Sequence, residues 1–192
     1  MRTLHRVDRL ADMDKEVAEH LDTQKRKVQS FRKALTSESD RGCVLLAAAY
    51  LDKSLSDLLY VSLVENKNIE KDLFDGTAPL ATFSSRIKLA YYLGLISQAC
   101  RRDLDTIRRI RNDFGHDPEI ISFQKQSICE RCRNLSFSYH QKDGDPRTHF
   151  TAAVLGVLGK IHSATLTTIA HTEKPDDSPS EADKEEHRKS VE

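Results

Sequence analysis

The chain has 192 residues, the size of one domain or of one domain with attachments. Charged residues make up 31% of it, against a usual level of about 25%, while Trp is absent and Gly and Pro number only 7 and 5. That balance argues against a β-sandwich or barrel and for helices, and 30 bases against 30 acids leave no polyanion-seeking field over the whole molecule. No apolar run approaches the roughly 18 residues that a membrane span needs. The N-terminus, Met1-Arg2-Thr3-Leu4-His5-Arg6, runs into charge rather than an apolar signal core. The expectation is a soluble, cytoplasmic, all-α protein without membrane contact.

Residues 1–36 form the first unit, a long amphipathic helix over 4–35. From Val17 its apolar positions (Val17, Leu21, Val28, Phe31, Leu35) step by 4, 7, 3 and 4, a heptad-like seam with Gln24 in the missing slot. Such a stripe packs on the body or pairs with a second copy, and the seam favours a homodimer. Ser37, Ser39 and Asp40 supply capping chemistry for a richer helix from Arg41 to Glu65, whose Val44, Leu45, Ala48, Leu51, Leu55, Leu58 and Leu59 are spaced for deep packing. Asn66 to Pro79 is a connection with one helical turn. Thr82 or Ser84 caps a helix over Phe83–Leu95, and Ser97 opens another to Phe114, stopped by Gly115 and Asp117-Pro118. A shorter helix over Phe123–Leu135, a polar loop over 136–147 and a last helix over Arg147–His171 complete the second unit, residues 37–172. The tail from Glu173 to Glu192 holds eight acids against four bases, which leaves residues 1–172 with 26 bases, 22 acids and a net +4. With two prolines and almost nothing apolar, 173–192 cannot offset its ordering entropy and is expected to be disordered. The fold class is a single all-α bundle of about six helices.

Chemistry concentrates between Pro79 and His116. On the helix ending at Phe114, Cys100, Leu104, Ile107, Arg111 and Phe114 follow steps of 4, 3, 4 and 3, which places Arg111 on or beside the face to be buried. A guanidinium there needs an anionic partner. Asn112, Asp113 and His116 follow around Gly115, which can turn His116 back toward Arg111. An Arg that grips phosphate beside a His that moves a proton is a metal-free phosphodiester-cleaving pair. The structural alternative has Arg111 paired with Asp52 and His116 closing the helix C-terminus. Arg86 and Lys88 have two readings as well, an anion or partner contact near Arg111 or an ion pair between helices. Arg101, Arg102, Arg108 and Arg109 alternate with Asp103 and Asp105, the pattern of a solvated face. Of the four cysteines, Cys129 and Cys132 form a lone C-x-x-C without a second half, so neither a metal site nor a cofactor is expected, and buried free thiols are.

The run from Ala78 through Ser97, and then Asp103 to His116, resembles the mannitol operon repressor family, with the likeness extending from Arg41 through Leu135. The resemblance implies an all-helical bacterial transcriptional regulator that represses through protein partners. No helix-turn-helix or dense basic recognition helix is legible, so direct DNA contact is not part of this reading. The segment Arg111-Asn112-x-x-x-His116 also looks like the Arg-x4–6-His signature of HEPN domains, many of which are dimeric, metal-independent ribonucleases. By that resemblance Arg111 would stabilise phosphorane-like charge and His116 would act as general base on an RNA 2′-hydroxyl. Asn112 and Asp113 would orient them and Asp52 would hold Arg111. A non-enzymatic regulator therefore stands first, a HEPN-like endoribonuclease or toxin second, and a plain scaffold third.

Overall fold

A computed structural model describes residues 26, 28–116, 121–140 and 143–191. Most of the long first helix expected over 4–35 lies outside them, and its described part is α1, helical over 28–37. The seam residues Phe31 and Leu35 are buried in the common core, with Phe31 stacked on Tyr50 at a centroid distance of 4.1 Å. This end of the stripe therefore packs on the body.

Seven further helices follow: α2 (Asp40–Ser62), α3 (Lys67–Phe74), α4 (Phe83–Tyr92), α5 (Gln98–His116), α6 (Gln126–Arg133), α7 (Pro146–Thr167) and α8 (Glu181–Val191). No strand occurs among the described residues. The expected count of about six is exceeded by α3 and α8, short helices with local stop and start signals. Asn66 caps α3 by accepting from the N–H groups of Asn68 and Ile69, both at 3.2 Å. In the tail expected to be disordered, Ser180 and Asp183 cap α8 reciprocally, and Lys184–Glu181 and Lys189–Glu185 pairs brace it. None of its described side chains is buried, so capping and side-chain pairing form this helix without a core.

The bundle is organised around α2 and α7. Helix α2 packs against α7, α5 and α4, while α7 also touches α6 and α5. Ser39 starts α2 by accepting from Gly42 N–H at 3.1 Å, and Thr82 starts α4 by accepting from Ser85 N–H at 3.1 Å. Leu51, Leu55, Leu58 and Leu59 of α2 are fully buried, each stabilising by about 1.5–3 kcal/mol relative to exposure. Helix α7 is long and apolar enough to cross a membrane by length and composition. Here its Phe150, Ala153, Val154, Val157, Leu158 and Ile161 are core residues.

Polar ties fix the loops. Asp40 accepts from Phe123 N–H (3.1 Å) and pairs with Arg147 (2.9 Å), whose other Nη donates to the Leu35 and Glu38 carbonyls. Asp40 thus ties α2 to the loop before α6 and to α7, and Arg147 carries the tie on to the end of α1. Asp103, assigned by its charge alternation to a solvated face, is instead only 3% exposed. It accepts from Ser136 N–H at 3.0 Å and Phe137 N–H at 2.9 Å. Its place beside Ile107 and Ile110 on the buried side of α5 sends the carboxylate to the loop backbone, where it replaces water for two otherwise unsatisfied donors.

Candidate functional site

Helix α5 carries most of the residues singled out by sequence, and its rotation decides what they meet. Cys100, Asp103, Leu104, Ile107, Ile110 and Phe114 face the core. Arg111, expected on or beside that face, falls outside the buried set and is exposed. At about 100° per residue, position 111 lies around the helix between buried Leu104 and Ile107, so its face does not explain the exposure; Arg111 instead lines a cleft that opens at this end of α5.

Asp52 does not hold Arg111. It accepts from Arg86 Nη1 at 2.8 Å, with side chains 29% and 14% exposed, so the ion-pair reading of Arg86 is the one the geometry supports. The Arg86 guanidinium also lies 5.9 Å above the Phe74 ring. Among the described residues Arg111 donates only to its neighbour, the Asn112 side-chain carbonyl, at 3.2 Å. Asp113 forms an ion pair with Arg131 of α6 and so ties two helices together instead of orienting Arg111 or His116. His116 is exposed at the last position of α5, and Lys88 is exposed on α4. Arg111 and His116 have no common bonding partner among the described residues.

A cleft does form beside this group. Its volume is about 520 Å³, and it lies between α2, the start of α4 and α5. Arg111, Asn112 and Asp52 line it together with Arg108, whereas His116, Arg86 and Lys88 do not. The sequence reading missed Arg108 because alternation with Asp105 marked it as a solvated surface charge. Its Nε is 3.7 Å from Asp105, and its side chain is 25% exposed.

All four cysteines are free, with Cys43, Cys100 and Cys132 buried and Cys129 half-buried. Burial pushes the Cys43 thiol up to about 11 and the Cys100 and Cys132 thiols up to about 12, so these three are poor nucleophiles and poor metal ligands. Among the described residues no group of three or more His, Cys, Asp or Glu is placed to hold a metal ion.

The described residues thus form an all-α bundle with a cleft lined by two arginines. The family model for the mannitol repressor matches residues 13–153. The chain therefore belongs to the mannitol repressor family. Among solved structures it is similar to a chain of the X-ray structure of the MtlR–HPr complex from Escherichia coli, at 19% identity and a TM-score of 0.60. That likeness covers 70% of this chain and 97% of the other. No curated protein matches.

Proposed function

We propose that this chain is a non-catalytic transcriptional regulator of the mannitol repressor type, which acts in the cytoplasm by binding a protein partner of the HPr kind. The family match over residues 13–153 carries the reading. The similar fold in a complex with HPr supports the choice of partner, because 97% of that chain is spanned by this one. The site geometry is in keeping with it: Asp52 and Asp113 are committed to Arg86 and Arg131 rather than to an Arg–His pair.

Isothermal titration of the purified chain with HPr from the same organism tests this directly. The expected result is a saturable complex with a dissociation constant of about 10 μM or tighter. No heat and no co-elution at several times that concentration would refute the partner assignment.

The reading includes a homodimer through the first helix. Phe31 and Leu35 are committed to the body, which leaves the Val17 and Leu21 positions of the sequence stripe for pairing. Light scattering should show the full chain at twice the mass of one chain and a variant lacking residues 1–25 at one; an equal association state for both would remove this part.

A further inference from the structure

The cleft between α2, α4 and α5 has features that a protein partner does not require. One wall carries Arg108 and Arg111, three residues apart on α5, and the floor carries Leu45, Ala48 and Ala49. Arg108 shares the Asp105 carboxylate with Arg101, and Arg111 has no ion pair among the described residues. Among the described residues Arg111 bonds only to the neutral Asn112, and Arg108 Nε is buried without a hydrogen bond, 3.7 Å from Asp105. Asp105, the acid nearest Arg108, is engaged more closely by Arg101 at 3.2 Å. Asp52, the one acid lining the cleft, is already neutralised by Arg86. Two like charges therefore face one cavity at adjacent helical positions, an arrangement that a bound anion relieves.

The donors exceed what a carboxylate can use. Two guanidinium forks are joined by Ser84, which also lines the cleft. A phosphate offers three oxygens to such a set. The volume of about 520 Å³ leaves room beyond the phosphate. Asn112 and Asp52 can accept or donate to hydroxyl groups there, and the small apolar floor suits a short carbon skeleton.

We propose that this cleft binds a small hydroxylated phosphate monoester, with its phosphate held between Arg108 and Arg111. The ligand would act as an effector of the regulator, a role that rests on the function proposed above.

Titration calorimetry of the full chain with sorbitol 6-phosphate, inorganic phosphate and sorbitol tests the assignment. Sorbitol 6-phosphate should bind saturably, inorganic phosphate more weakly, and sorbitol not at all. Arg111→Ala should weaken sorbitol 6-phosphate by at least about tenfold. Arg109→Ala, an exposed position of α5 outside the cleft lining, should leave affinity unchanged. Asn112→Asp places a carboxylate beside Arg111 and should weaken binding as well, which keeps the test decisive if the first variant folds poorly. Equal affinity for wild type and both cleft variants, or binding of sorbitol as tight as its phosphate, would overturn the proposal. So would a U-rich RNA oligonucleotide binding where no small phosphate does. Titration of the same variants with HPr reads the partner assignment separately, so either can fail alone.

Discussion

The pairing of Asp52 with Arg86, rather than with Arg111, can be measured as a coupling energy. Arg86 Nη1 and Asp52 Oδ1 are 2.8 Å apart, and the arginine side chain is 14% exposed against 29% for the aspartate. Exposed pairs couple by about 0.2–1 kcal/mol, whereas breaking a fully buried pair costs about 3–5 kcal/mol. Partial exposure of both groups lets water screen the field, so the value sits between these limits. Asp52→Ala is expected to cost about 2 kcal/mol, since it leaves a mostly buried guanidinium without its acceptor, and Asp52→Asn about 1 kcal/mol. The Asp52/Arg86 double-mutant cycle should give a coupling of about 1–1.5 kcal/mol, and the Asp52/Arg111 cycle about 0.3 kcal/mol or less. Arg111→Ala alone should stay within about 0.5 kcal/mol, because that side chain is exposed and bonds only to Asn112. Urea unfolding followed by circular dichroism, with a common slope across the variants, supplies these numbers. A larger coupling of Asp52 to Arg111 than to Arg86 would refute the arrangement, and with it the exposed placement of Arg111.

Asp103→Ala removes a carboxylate that accepts from Ser136 and Phe137 N–H and should cost about 3 kcal/mol; a loss under about 0.5 kcal/mol in urea would contradict its buried role. The buried thiols bind protons more tightly folded than unfolded, since they are raised from 9.0 to about 11 or 12. Their contribution is complete below pH 9 and declines as pH rises from there toward their folded values, so the melting temperature should fall in that window and fall less in Cys100→Ala. Deleting residues 173–192 should shift the melting temperature by no more than about 1 °C in calorimetry, because α8 buries no described side chain; the Ser62–His171 backbone bond is retained. Wild type and His116→Ala should both leave RNA uncleaved in EDTA, and cyclic-phosphate ends from wild type alone would restore the ribonuclease reading.

The legibility of the fold came from strong local signals. Ser39 and Thr82, among the cap candidates, cap α2 and α4, and Leu51, Leu55, Leu58 and Leu59 are buried at the spacing that marked them, whereas Leu45, marked with them, is 38% exposed. Boundaries moved where capping was ambiguous. The helix expected from Phe123 begins at Gln126 without a side-chain cap, while the Ser122 hydroxyl ahead of it accepts from Gln124 N–H. The candidate site was less legible. The periodic pattern sets Arg111 on the same stripe as buried Leu104 and Ile107, but not where along that stripe the neighbouring helices leave a cleft open to solvent. Asp103 and Arg108 looked alike as members of an alternating charge run, yet one is buried against a loop and the other lines a cleft.

What the sequence determined by itself is local and compositional: helices rather than strands, their caps, the apolar face of α2, and the likeness that runs from Arg41 through Leu135. These depend on neighbours within a turn or two, which the chain order specifies directly. Only the tertiary structure decided which charge meets which. Asp52 is 34 residues from Arg86, Asp113 is 18 from Arg131, and Asp40 is 107 from Arg147. Such pairs depend on how α2, α4, α5, α6 and α7 are rotated against one another, and those rotations are set by packing of the whole core rather than by any one segment.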